Sequence, residues 1–365
     1  MRLLKILIFF IIFNQSFAEY SNKFVSAGEP EFSRNKVIEV YGHRGARSFA
    51  PENSILAYKT ALQIGVNWVD MDVVVTKDGE VIVYHDLWIN PDFTSLNGKF
   101  FAISNKDFIA SIGDKKDQII QKYLLKNITF DELQKYSIGV LNSNSIYSKF
   151  FPDQYLVKDV RIPKLQNVID YVDDITDKNV MYQIEIKNDP TNPQYTVDSK
   201  IFAQKIYDIL KKNNLIERAE IQAFDWNVLY ELQLLDKDVK TAYLIGYDEI
   251  DYARPERFKY NGKWSGGKIL KDYNNSLPRM VKMLGGCCYE PEDVLLTKED
   301  LDSAHNLGLK VVVWTWPEHS GRAFDPALIN KLINWGVDGI ITDDPAKLNS
   351  MLAVRGYKTP MNYHL

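Results

Sequence analysis

KVVVWTWPEHSGRAFDPALINKLINWGVDGIIT, residues 310–342, holds one complete strand–helix–strand unit. The apolar run Lys310–Trp316 reads as a strand. Asp325-Pro326 supplies an N-cap followed by proline at the first helical position, and Gly336 ends that helix. Val337–Thr342 is then a second strand, and a helical crossover makes the two strands parallel. The same rhythm runs back through the chain. Strands are expected at Val37–Tyr41, Trp68–Val75, Val180–Lys187, Ala219–Phe224, Lys240–Ile245 and Met283–Tyr289. Helices are expected at Pro51–Ile64, Lys200–Lys212, Asn227–Leu235 and Lys298–Asn306. Strands and helices alternating in this way predict an α/β chain closed into a (β/α)8 TIM barrel over residues 37–352. A doubly wound open sheet would share the rhythm, but no Gly-x-Gly-x-x-Gly follows the first strand. Residues 87–160, rich in Asn, Lys, Asp, Ser and aromatics, read as an insertion after the second strand region. A similar stretch covers 247–275, and 353–365 is a C-terminal tail.

With 45% hydrophobic and 25% charged residues in 365, the composition is globular and excludes a disordered, collagen-like or disulfide-scaffold chain. A net charge of −4 offers no basic field, so no nucleic-acid partner is expected. Residues 1–18 have the form of a signal peptide. Arg2 and Lys5 give a positive start, Ile6–Phe13 is apolar, and Ser16-Phe17-Ala18 places small residues at the cleavage positions. The expected product is exported, periplasmic or secreted, with 19–36 as an N-terminal extension and no stable membrane anchor once the signal is cut. The two cysteines, Cys287 and Cys288, are neighbours. Adjacent Cα atoms lie closer than a disulfide usually allows, so they are expected to be small residues packed in a strand.

Reactive side chains concentrate between residues 43 and 86. The first strand ends in Gly42-His43-Arg44-Gly45. Asp70 and Asp72, two apart on the second strand, share one face. Carboxylates so placed repel unless a cation neutralises them, and all-oxygen ligation selects Ca²⁺ or Mg²⁺. Asp78-Gly79 between two valine-rich runs signals a hairpin. A two-residue turn there would pair Lys77 with Glu80 and set Asp72 opposite His85. Glu185 and Lys187 share a face near the end of a later strand, the end where barrel active sites are built.

These segments together resemble the glycerophosphodiester phosphodiesterases. The resemblance runs through Gly42-His43-Arg44-Gly45, Pro51-Glu52-Asn53-Ser54, Val69-Asp70-Met71-Asp72-Val73, Thr76-Lys77-Asp78-Gly79 and Val83-Tyr84-His85-Asp86. It continues through Ile162-Pro163-Lys164-Leu165, Ile184-Glu185-Ile186-Lys187, Val313-Trp314-Thr315-Trp316 and Gly336–Asp343. It implies metal-dependent hydrolysis of a small-molecule glycerophosphodiester to glycerol 3-phosphate and an alcohol. His43 and His85 would be the acid–base pair, and Arg44 and Lys187 would face the phosphoryl oxygens. Asp72 and Glu185 match metal ligands, usually for Ca²⁺ (Mg²⁺ being the other hard ion of the same chemistry). Asp70 stands at a third ligand position where the family usually has glutamate. Glu52 would orient Arg44 or His43, and Trp314 would line the glycerol pocket. Gln222, where other members often carry serine, is given no role.

Two other functions use the same residues. One is a lysophospholipase D or sphingomyelinase-D-like enzyme, its acyl channel built from Phe93, Phe100, Phe101, Phe150 and Phe151. The other is an exported, non-catalytic binding protein on a decayed barrel.

Overall fold

The computed structural model describes residues 37–246, 262–317 and 321–364. The signal peptide, the 19–36 extension, part of the 247–275 stretch and His319 lie outside the described residues. The strands are β1 (Glu39–Gly42), β2 (Trp68–Val75), β3 (Val81–Val83), β4 (Ser95–Leu96), β5 (Tyr136–Ser137) and β6 (Met181–Ile186). They continue with β7 (Ala219–Ala223), β8 (Lys240–Ile245), β9 (Cys288–Pro291), β10 (Lys310–Trp314) and β11 (Gly339–Thr342). One sheet takes the order β1-β11-β10-β9-β8-β7-β6-β2-β3, and β1 also pairs with β2. That last pairing closes a ring of parallel strands, the expected (β/α)8 barrel, with β3 hanging antiparallel from β2.

Strand alternation explains the layers. Val40, Val69, Met71, Ile184, Ile221, Val311, Val313 and Ile340 belong to the apolar core shared with the surrounding helices, whose faces supply Leu62, Ile169, Phe202, Leu229 and Leu332. Their neighbours turn inward. Near the N-terminal ends of the strands the interior is floored by Tyr41 stacked on Trp68, with ring centroids 5.1 Å apart. The Lys310 ammonium lies 4.3 Å above Trp68 and is paired with Glu39 (2.6 Å) and Glu220 (3.1 Å). Above them come Asp70, Gln183, Gln222 and Glu290, with Gln183 Nε2 donating to Glu290 Oε1 at 2.6 Å.

Three expectations are corrected. The helix after β1 spans Ile55–Ile64, because the Ser54 side chain caps it by accepting from Ala57 N–H; Pro51–Asn53 is a turn outside it. The run Met283–Tyr289 is not one strand. Met283 ends the helix Leu277–Met283, Gly285 turns the chain at φ +85°, and β9 starts at Cys288. The hairpin is one residue off. Val75 pairs with Val81 and Val73 with Val83, because Thr76–Glu80 form the loop, held by Thr76 N–H to Glu80 O and Gly79 N–H to Thr76 O. Asp72 O therefore accepts from Tyr84 N–H, and His85 is not its cross-strand partner.

The insertion packs Phe93, Leu133, Ile138 and Phe151 into a second apolar core shared with Ile82, Tyr84 and Ile162. It is tied to the loop after β1, where Gln154 Nε2 donates to Arg47 O (2.8 Å) and Tyr155 N–H to Phe49 O (2.8 Å). None of the five phenylalanines expected to form an acyl channel lines the central cavity. Phe93 and Phe151 are buried in the insertion core, and Phe101 packs on Phe108 and Tyr123.

Candidate active site

The loop from β1 is shaped by a backbone that few sequences tolerate. Arg44 sits at φ +51° and Asn53 at φ +54°, joined by Asn53 N–H to Arg44 O (3.0 Å). Left-handed backbone of this type costs roughly 1–3 kcal/mol per residue and concentrates at functional sites. Gly45, at φ +89°, lets the loop touch the following helix; a Cβ there would meet Ala57 carbon at 2.6 Å.

At the C-terminal mouth of the barrel a cavity of about 270 Å³ is lined on one side by His43, Arg44, Asp70, His85, Glu185 and Lys187. They come from β1, β2, the chain after β3, and β6, brought together by ring closure. The facing wall is aromatic. Phe224 and Trp314 meet edge to face at 5.5 Å, Trp314 and Trp316 at 6.4 Å, and Trp264 completes it. A Cβ on Gly246 would come 3.0 Å from Phe224. Trp314 is held by donating Nε1–H to Glu290 O at 3.1 Å. Asp72 and Glu52 stand behind this lining, both on Arg44: Nη1 donates to Glu52 (2.8 Å) and Nε lies 3.2 Å from Asp72. Of the two orientation roles implied for Glu52, its contact is with Arg44.

Charge is unevenly balanced. Asp72 is held ionised well below the usual carboxylate range: burial opposes this, but Lys187 (3.0 Å), Arg44 and His85 outweigh it, aided by Asn53 Nδ2 at 2.7 Å. Lys187 also bonds Glu185, whose proton affinity burial nonetheless pushes up to about 7. Asp70 is raised well above its ordinary value by burial and by the charges of Asp72 and Glu185. It accepts hydrogen bonds from two neutral donors, Arg44 N–H (3.2 Å) and Gln222 Nε2 (2.6 Å). Gln222, left without a role by the sequence, therefore steers Asp70. A buried carboxyl answered by amides and crowded by two others is an oxygen donor set suited to a hard cation. The three carboxylates do not gather ligand atoms all within 4.8 Å of one another. Among the described residues Glu220, Cys287 and Cys288, at the barrel floor, do so and could hold a metal ion.

The chemistry also depends on residues that sequence reasoning missed. His43 Nδ1 lies 2.6 Å from Asp343 Oδ1, just past β11. Arg47 grips the same carboxylate through Nε (2.8 Å) and Nη2 (2.9 Å). Arg47 Nη1 donates to the Tyr147 hydroxyl at 3.0 Å, and that hydroxyl donates to Glu52. Burial and Arg47 push the His43 imidazole down to about 4, against the opposing pull of Asp343. His43 is thus neutral, its Nδ1–H given to Asp343 and Nε2 left with a lone pair. His85 is lowered by burial, Arg44 and Lys187, while Asp72 and Asp86 (3.4 Å from Nδ1) pull the other way. If His43 is the base, its own acid limb in kcat/KM should lie near pH 4, below any limb set by Glu185 near 7. A direct titration of the His43 ring near 6.5 would remove that role.

The family model of the glycerophosphoryl diester phosphodiesterase family matches residues 43–347. The glycerophosphodiester phosphodiesterase of Caldanaerobacter subterraneus subsp. tengcongensis is 26% identical over 317 residues, 87% of this chain and 98% of that protein. That of Bacillus subtilis is 24% identical over 318 residues, 86% and 85%. Among solved structures, a Silicibacter pomeroyi protein assigned to the glycerophosphoryl diester phosphodiesterases is similar with TM-score 0.71 and 25% identity, covering 89% of this chain and 96% of that one. An Oleispira antarctica phosphodiesterase, solved with its product sn-glycerol-3-phosphate, shares the fold at TM-score 0.57 and 18% identity, covering 87% and 97%. With that match extending from the first cavity histidine to the helix beyond the last strand, the chain belongs to the glycerophosphoryl diester phosphodiesterase family and is a hydrolase of glycerophosphodiesters.

Proposed function

We propose that this hydrolase is metal-dependent, that His43 and His85 are its acid–base pair, and that it yields glycerol 3-phosphate and a free alcohol. The observation that carries the reading is the single cavity lined by both imidazoles, two cations, the three carboxylates Asp70, Glu185 and Glu292, and aromatic side chains. A Ca²⁺ or Mg²⁺ ion would be held by Asp70, Asp72 and Glu185 and would supply charge neutralisation at the phosphoryl oxygens.

Arg44 and Lys187 orient the phosphodiester anion, and the aromatic wall takes the glycerol carbons. His43 Nε2 accepts the proton of the substrate's own neighbouring hydroxyl as that oxygen bonds phosphorus. His85, whose proton affinity rises beside a bound anion, gives its proton to the departing alkoxide. Water then opens the cyclic phosphate with the two roles exchanged. Charge growing on the phosphoryl oxygens is met by donors already in place, the usual source of most of the barrier reduction.

Turnover of glycerophosphocholine should vanish after EDTA treatment and return with Ca²⁺ or Mg²⁺. Undiminished turnover in EDTA would end the ion's role while leaving the diesterase. Lysophosphatidylcholine is expected to be a poor substrate beside it, since none of Phe93, Phe100, Phe101, Phe150 and Phe151 lines the cavity. The positive start, apolar run and small-residue site of residues 1–18 support export to a periplasm or beyond, which fractionation of the producing cells would test.

A further inference from the structure

The floor of the barrel carries a pair of nucleophiles that diester hydrolysis does not use. Cys288 opens β9 and is 1% exposed, while Cys287 just before it is partly exposed; both are free thiols. Neighbours in a continuous strand point to opposite faces. Cys287 precedes β9, its N–H bonded to Thr241 O (2.9 Å) and its carbonyl accepting from Lys310 N–H (3.1 Å). Its side chain turns to the same side as the next one, and the two Sγ atoms lie 2.7 Å apart. Unbonded carbon atoms rest at roughly 3.5–4.0 Å, and sulfur is larger. The two free thiols therefore sit side by side at the start of β9, one buried and one partly exposed.

The surroundings favour sulfur–sulfur chemistry over metal capture. Glu220, the third potential ligand, already accepts from the Lys310 ammonium at 3.1 Å, which Glu39 also holds.

We propose that Cys287 and Cys288 are a dithiol that closes to a vicinal disulfide on meeting a small-molecule disulfide. The accessible Cys287 thiolate attacks one sulfur of the oxidant and expels its other half as a thiol. Cys288 then loses its proton and attacks Cys287 Sγ, expelling the second half. The protein gives up two protons and two electrons, and the oxidant becomes two thiols.

The test is incubation of the reduced full chain with glutathione disulfide, alkylation after denaturation, and intact mass. The expected result is joint loss of both alkylatable thiols, a mass lower by two hydrogens, and a monomer on a non-reducing gel, all reversed by dithiothreitol. In Cys288→Ser the reaction should stop at a glutathione adduct on Cys287. Two thiols still alkylatable, a stable adduct in the wild type, or a covalent dimer would each overturn the proposal. Protection of both thiols by equimolar Zn²⁺ would also overturn it, making the corner a metal site. If Cys288→Ser fails to fold, the wild-type masses decide alone.

Discussion

His43→Ala is expected to lower kcat/KM on glycerophosphocholine by about 10²- to 10⁴-fold, the usual worth of a positioned general base. His43 is neutral, and Nδ1 on Asp343 at 2.6 Å fixes the ring and leaves Nε2 as its free base. His85→Ala should cost as much on the same diester, but its defect has a different signature. A diester with an aryloxide leaving group needs no proton at departure, so it should restore much of the His85→Ala rate and none of the His43→Ala rate. The double variant should be little worse than either single one, because both act in one turnover. Full activity in both single variants would end the acid–base assignment, and equal rescue of both would reverse or merge the two roles.

Asp343→Ala should be the most destabilising single change near the site. Arg47 is 1% exposed and Asp343 is fully buried, so removing the carboxylate leaves a guanidinium without its two charge-assisted bonds. Breaking such a pair costs about 3–5 kcal/mol. Urea unfolding of Asp343→Ala against the wild type measures that loss. Asp343→Asn keeps the volume but offers one acceptor oxygen, so it should recover part of the stability while His43 loses its fixed tautomer and activity stays low. A variant as stable as the wild type would show that Arg47 finds another partner, such as Tyr147 or Glu52.

The barrel was legible because its signals are local: apolar runs of strand length, N-caps such as Asp325, and glycine stops such as Gly336 recur with each unit. The faces of Asp70, Asp72, Glu185 and Lys187 followed from strand alternation for the same reason. The hairpin failed by one residue because Thr76 and Glu80 close a loop through their backbone, which Asp78-Gly79 alone does not specify. The Met283 error has a similar root, since short apolar runs fit a helix end as well as a strand. Arg47, Tyr147 and Asp343 were missed for a different reason. Their contacts join residues far apart in the chain, Arg47 to Asp343 and Tyr147 to Glu52, and no spacing encodes such pairs. One signal was present: Asp343 directly follows the last strand on the mouth side, where each barrel strand delivers its working side chain.

The Lys310 plug on Trp68 and Tyr41 makes the active site a cul-de-sac. Substrate arrives, and both products depart, through the same opening, so traffic is single-file and the last occupant blocks the next. Whichever product is gripped by Arg44 and Lys187 will leave second. Phosphate-bearing glycerol, not the alcohol, should therefore be the competitive inhibitor, whatever head group the diester carried.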